Sequence, residues 1–241
     1  MSRIKINTTP IKDAIQSIRQ GHINPIYYLM GEDQYLQQMF AEKVTQQLFQ
    51  DDTVNKTVLI PDEMKSIEII DHLTAADLFS SKKLFLLRNP NGLKGKARDE
   101  FIEYCQGPVD GHTLIIINEE YGAKNKFLES LVTLFNPISC STPFENNMIQ
   151  WAKFFFKENG INDVSQNTIK LLVGIAGDSL NHLKNEIDKI AISSDDNSKI
   201  KQTDIEQFAG WKRKFRQYEF FNFLGQRKMK ESMELGRALI A

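Results

Sequence analysis

The sequence of 241 residues is poor in the residues that hold a fold together through disulfides or metals. It contains two cysteines, Cys105 and Cys140, and four scattered histidines. Two cysteines cannot build a disulfide framework, and none of the spacings matches a metal site. The sequence therefore predicts a reduced protein that needs no metal and no other cofactor.

Long apolar segments are also missing. The longest purely aliphatic run, Leu114 to Ile117, is far too short to cross a bilayer. The first residues, MSRIKINTTPIKDAI, carry no apolar signal-peptide core. These absences predict a soluble, cytoplasmic protein without a membrane partner.

Charge of one sign is not in excess either. The chain has 30 Lys and Arg against 31 Asp and Glu, so net charge alone does not require a polyanionic partner. One local stretch is strongly basic and contains Lys212, Arg213, Lys214 and Arg216. This stretch is a candidate contact for DNA phosphates, and the alternative interpretation is a solvated helix face.

The sequence does contain a regular alternation of strand-like and helix-like segments. Helical periodicity separates five predicted strands, which are PIYYLM, KTVLIP, KLFLLR, HTLIIIN and ISCST. This alternation, with the continuous aliphatic run LIII in one strand, predicts a mostly parallel α/β sheet covered on both faces. Thr9 and Pro10 are predicted to cap and to begin the first helix.

After Pro143 the pattern changes, and only helices are predicted. No further strand is expected, Ser165 is a candidate helix cap, and Gly177 is a candidate helix stop. The predicted domains are an α/β domain over residues 1–143, a small helical domain over 144–211 and the start of a third helical domain over 212–241. The last segment is too thin to bury its own apolar surface.

The turn after PIYYLM lies where a parallel α/β protein would bind phosphate. Its residues Gly31, Glu32 and Asp33 are not accompanied by the Lys and the Ser or Thr of a P-loop. Two carboxylates would repel a triphosphate, so we interpret the turn as a degenerate nucleotide site whose acids suit a helix N-terminus. Asn118 and Glu119 stand where a magnesium-binding segment would end, but the neutral Asn118 is a poor ligand for that ion. No catalytic residue is predicted.

Leu78 and Phe79 are two large apolar residues between a predicted helix and the strand KLFLLR. Their neighbours Asp77 and SSKK are polar, as is normal for a connection. The pair either fills the core beneath the turn, as large apolar side chains usually do, or is held out to bind a partner.

Segments spread over nearly the whole chain resemble, in order and spacing, the delta subunit of bacterial DNA polymerase III. They are PIYYLMGEDQYLQQMFAEKV, LFSSKKLFLLRNP, TLIIINEE with KNKFLESL, FFFKENGINDVSQNTIKLLVGIAGDSLNHLKNEIDKIAI, and IKQTDIEQF. The resemblance implies an AAA+-like (P-loop NTPase-type) α/β domain with a parallel sheet, followed by a helical lid domain and the start of a helical collar domain. It also implies that most of the collar is truncated.

A function follows from this resemblance. A delta subunit binds and opens the beta sliding clamp for loading onto primed DNA during replication, without hydrolysing ATP itself, as a component of a nucleotidyltransferase holoenzyme. The implied partners are the clamp, the gamma/tau and delta prime loader subunits, and primed DNA. The clamp-binding wedge of the family, typically Met-x-Leu-Phe, falls on Ala76, Leu78 and Phe79, and Ala76 departs from the pattern.

Two other functions remain open on the sequence. One is an AAA+ ATPase with a divergent phosphate loop, and the other is a generic DNA-binding adaptor. Magnesium-dependent ATP turnover would indicate the first, and DNA binding without clamp binding would indicate the second.

Overall fold

The computed structural model describes residues 6–50, 52–75, 82–193, 199–200 and 219–240. The chain divides into two compact units, residues 1–141 and 142–241. The clamp-binding residues and the basic residues predicted from the sequence lie outside the described ranges, and they are Ala76, Leu78, Phe79, Lys212, Arg213, Lys214 and Arg216.

The first unit contains one parallel sheet of six strands. The strands are β1 (Thr9–Pro10), β2 (Ile26–Met30), β3 (Lys56–Leu59), β4 (Lys83–Arg88), β5 (His112–Asn118) and β6 (Ile138–Ser139). Their order across the sheet is β1-β6-β2-β5-β4-β3. The helices are α1 (Ile11–Arg19), α2 (Gln34–Phe49), α3 (Ser66–Thr74), α4 (Ala97–Gln106) and α5 (Lys126–Leu134), with a 3-10 turn at Pro90–Gly92.

The central strands β2 and β5 are buried along their whole length. A strand covered on both faces has no reason to alternate polar and apolar residues, which explains the aliphatic run in β5. One face of the sheet packs against helices in a core that includes Tyr28, Leu73, Phe85, Phe101, Ile116 and Leu131. The predicted parallel sheet is confirmed.

The prediction for Thr9 and Pro10 is wrong. They form β1, which pairs with β6 in the register Thr9 to Ile138, and α1 begins only at Ile11 without a side-chain cap. A proline is acceptable here because β1 is an edge strand, where its missing N–H leaves no ladder bond unmade. A strand of two residues has no periodicity from which it can be predicted.

The second unit is built mainly of helices. They are α6 (Glu145–Glu158), α7 (Gln166–Ala176), α8 (Leu180–Ser193), a helical segment α9 over residues 219–225, and α10 (Met229–Ile240). The Ser165 hydroxyl accepts the Thr168 N–H at 3.1 Å, and α7 ends at Gly177 with a φ of 66°, so both predicted boundaries are confirmed. The helix predicted near residues 203–210 lies outside the described residues.

The absence of strands after Pro143 is contradicted by the structure. β7 (Asp163–Val164) and β8 (Lys199–Ile200) form a two-stranded parallel pair. Each strand has only two residues, so neither shows the alternation that identifies a strand in a sequence. The two strands can be identified only from their pairing in the folded chain.

Candidate functional site

Ligands of open parallel sheets bind at the carboxyl ends of the strands. Three neighbouring strands meet there in the first unit: β2 leads into the turn at Gly31, β4 ends at Arg88, and β5 ends at Asn118 before Glu119. The turn and Asn118-Glu119 were predicted from the sequence, whereas Arg88 was not. The feature that could have identified Arg88 in the sequence is its charge at the end of the apolar strand KLFLLR.

Asp33 is the N-cap of α2. Its Oδ1 accepts the Leu36 N–H at 3.0 Å, and its backbone oxygen accepts the Gln37 N–H at 3.2 Å. Burial raises the pKa of the Asp33 carboxyl, an effect only partly offset by the N–H groups of Leu36 and Tyr35. The helix terminus thus uses its own carboxylate where an incoming phosphate would need free N–H groups.

Gly31 packs directly against the backbone that follows β6. Its φ is 133°, and a Cβ built on it would lie 2.4 Å from the carbonyl carbon of Cys140 and from the nitrogen of Ser141. The Gly31 N–H donates to the Asn118 oxygen at 3.0 Å, and the Asp33 N–H donates to the Cys140 oxygen at 2.9 Å. These two amides of the turn are therefore already paired with carbonyl groups of the sheet.

Arg88 and Glu119 form an ion pair beside this turn. The Arg88 Nη2 lies 2.8 Å from the Glu119 Oε1, and the Arg88 Nε lies 3.2 Å from the same oxygen. The buried Gln37 links the pair to the turn, because its Nε2 donates to the Gly31 oxygen at 2.7 Å and its Oε1 lies 3.5 Å from the Arg88 Nη2. The acid that would activate water in a hydrolytic site is held by a cation of the same chain.

Asn118 is also engaged within the first unit. Its Nδ2 donates to the Tyr28 hydroxyl and to the Gly122 oxygen, both at 3.3 Å. Burial raises the pKa of Tyr28 to about 12, so this hydroxyl stays protonated at neutral pH. Asn118 therefore holds the end of β5 to β2 and to the following loop.

The edge holds a closed set of internal contacts, and it does not resemble a prepared metal site. Among the described residues, no group of three or more His, Cys, Asp or Glu side chains could hold a metal ion. In the same part of the chain, no helix is long and apolar enough to cross a membrane.

The opposite, amino edge of the sheet holds the end of α3 and the start of β4, the two elements between which the predicted wedge lies in the sequence. α3 ends at Thr74 and β4 begins at Lys83, so residues 76–81 connect elements that meet at this edge. α3 is held on the sheet by Ile69, Ile70 and Leu73, which are buried, whereas Ile67 at its beginning is 54% exposed. The helix that precedes residues 76–79 in the sequence is therefore firmly packed on the sheet.

Comparison with known proteins identifies a family whose model matches part of this chain. The family described as DNA polymerase III, delta subunit, matches residues 27–142, a range that contains most of the first unit. The resemblance drawn from the sequence is thereby confirmed.

Two matches from Bacillus subtilis extend the likeness beyond the first unit. The DNA polymerase III subunit delta of strain 168 is 21% identical over 238 residues, covering 92% of this chain and 67% of the relative. The structure of the DNA clamp loader delta protein superimposes with a TM-score of 0.68 at 19% identity, covering 95% of this chain and 71% of that one. The part of the predicted fold class that consists of a parallel-sheet α/β domain followed by helices is confirmed.

Proposed function

We propose that this chain acts as the delta subunit of a clamp loader, which binds and opens the beta sliding clamp for loading onto primed DNA. The observation that carries the proposal is the match of residues 27–142 to the delta family. On this proposal its partners are the clamp, the gamma/tau and delta prime subunits, and primed DNA within the assembled loader.

The carboxyl edge of the sheet supports a role without ATP hydrolysis. A P-loop places free backbone N–H groups and a lysine around the phosphates. Here the N–H groups of Gly31 and Asp33 donate to sheet carbonyls, and the Asp33 carboxylate occupies the terminus of α2. A triphosphate would have to break these bonds and lie next to Glu32 and Asp33.

Clamp binding is assigned in this proposal to Leu78 and Phe79, with Ala76 as a shortened third anchor. A Leu or Phe side chain contributes roughly 1.5–3 kcal/mol when it passes from water into an apolar pocket. Removing both side chains therefore corresponds to a loss of at least about 100-fold in affinity, at 1.4 kcal/mol per factor of ten. Lys212, Arg213, Lys214 and Arg216 remain the proposed contact with DNA.

The decisive experiment measures binding of the full chain to purified sliding clamp. Leu78→Ala combined with Phe79→Ala should remove binding and leave the thermal unfolding curve nearly unchanged. The matched control is Ile67→Ala, which removes an exposed apolar side chain from the other end of α3 and should leave clamp affinity unchanged. A large drop in melting temperature in the double variant would show that Leu78 and Phe79 belong to the core.

The same preparation separates the two alternative functions. Titration with ATP and Mg²⁺ should give neither binding nor turnover, and turnover would favour the ATPase with a divergent loop. Binding to primed DNA in the absence of any clamp binding would favour the generic adaptor.

A further inference from the structure

We infer that His112 is a positioning residue for clamp binding, because it fixes the end of the helix from which the proposed wedge departs. The expected effect on clamp binding rests on the proposed function. The anchoring of α3 by His112 rests only on contacts within the first unit.

The last turn of a helix leaves carbonyl groups without intrahelical partners. In α3, the Asp71 oxygen is taken by the Ala75 N–H at 2.9 Å. The Leu73 oxygen lies 3.1 Å from the Nδ1 of His112, in a buried contact between residues 39 positions apart. Since a carbonyl oxygen only accepts, Nδ1 carries the proton in this contact.

His112 is well placed to hold a helix end still. It is the first residue of β5, which is buried along its whole length, and it pairs in register with Lys83 at the beginning of β4. Its own side chain is buried, and its ring packs edge-on against Phe85 with centroids 5.2 Å apart. The hydrogen bond therefore joins the end of α3 to a strand that is buried along its whole length.

The joined carbonyl lies close to the wedge in sequence. Leu73 is fully buried, only Thr74 and Ala75 separate it from Ala76, and Ala75 is already extended with φ −64° and ψ 116°. If the Leu73 carbonyl loses its partner, the last turn of α3 frays more readily. A frayed helix end has to be ordered again when the clamp binds, which weakens affinity.

Two substitutions separate the hydrogen bond from the packing of the ring. His112→Phe keeps an aromatic ring against Phe85 and removes the donor. His112→Asn removes the ring and keeps an N–H donor at the atom attached to Cγ, where Nδ1 stood. Ile138→Val is the control, because it removes one buried methyl group from β6, on the far side of β2 from β5 and β4.

The experiment measures the dissociation constant for purified clamp and the exchange rate of the Ala75 amide hydrogen in the full chain. We expect His112→Phe to bind about five- to tenfold more weakly and to exchange at Ala75 at least about fivefold faster, as one lost hydrogen bond implies. His112→Asn should stay within about twofold of the parent in both measurements. Ile138→Val should leave clamp affinity unchanged.

The inference is overturned if His112→Phe and His112→Asn give the same clamp affinity and the same exchange rate at Ala75. Any effect would then come from the packing of the ring and not from the hydrogen bond. Failure of the parent chain to bind clamp would refute the proposed function and with it the role of His112 in binding. In that case the exchange rate at Ala75 still decides whether His112 anchors α3.

Discussion

Gly31→Ala tests whether the turn after β2 is closed by backbone packing. The substitution adds one methyl group, and it places that group 2.4 Å from the carbonyl carbon of Cys140 and from the Ser141 nitrogen. These neighbours are backbone atoms, so no side-chain rotation can relieve the contact. The φ of 133° adds backbone strain for any residue with a Cβ.

The expected cost has two parts. A residue forced into a sparsely populated backbone conformation loses about 1–3 kcal/mol. Relief of the clash requires the end of β6 to move away, which lengthens the bond from the Asp33 N–H to the Cys140 oxygen and the bond from the Cys140 N–H to the Met30 oxygen. Each buried hydrogen bond contributes about 1 kcal/mol, so the free energy of unfolding should fall by about 3–5 kcal/mol.

Gly122→Ala is the matched control. Gly122 has a similar φ of 117°, but nothing lies within 4 Å of a Cβ built on it. This variant carries the backbone strain without the clash, so we expect a loss of only about 1–3 kcal/mol. The difference between the two variants isolates the close approach of the turn to β6.

Urea unfolding of the full chain measures both variants. Far-ultraviolet circular dichroism follows the whole chain, whereas tryptophan fluorescence follows residues 142–241, which contain Trp151 and Trp211. The transition of the first unit should move to lower urea in Gly31→Ala more than in Gly122→Ala. If the two variants agree within about 1 kcal/mol, the close packing of the turn against β6 is refuted, because strain alone explains both losses.

Three further changes test other parts of the chain. The Tyr104 hydroxyl is buried without a hydrogen-bond partner among the described residues, so Tyr104→Phe should raise the free energy of unfolding by about 1 kcal/mol in the same urea assay; a loss of stability would reveal a partner. Because burial raises the folded-state pKa of Asp33 above its ordinary 3.8, the native state binds the extra proton and stability should fall as pH rises through that pKa. Asp33→Asn keeps a capping side chain but has no carboxyl group that titrates. Its free energy of unfolding should therefore increase relative to that of the parent as pH rises through the Asp33 pKa. A difference between the two proteins that stays the same at every pH would contradict this prediction. Ala76→Met restores the side chain typical of the family and should tighten clamp binding about tenfold, as burying a Met side chain implies; unchanged affinity would remove this position from the interface.

Much of the first unit was predictable because its physics is local and repetitive. A strand buried on both faces must be apolar throughout, so the runs around Leu29 and Ile116 identified β2 and β5. The absence of a P-loop lysine, and the acids in its place, could likewise be seen without coordinates. Leu78 and Phe79 were found in the same way, as apolar residues in a polar connection, and their role stays a prediction.

Short elements and long-range contacts could not be obtained in this way. β1, β7 and β8 have two residues each, which is too few for a periodic pattern, and each exists only because a partner strand lies beside it. The Gly31 contact with Cys140 joins residues more than 100 positions apart. The local sequence around Gly31 and around Cys140 does not predict that contact.

The sequence by itself determined the alternation of strands and helices, the missing phosphate-binding chemistry and the resemblance to the delta family, because each depends on residue type and spacing along the chain. Only the tertiary structure decided that Arg88 neutralises Glu119, that sheet carbonyls take the amides of the turn, and that His112 holds the end of α3. These contacts arise from strand order, which places the ends of β2, β4 and β5 side by side although they are far apart in sequence.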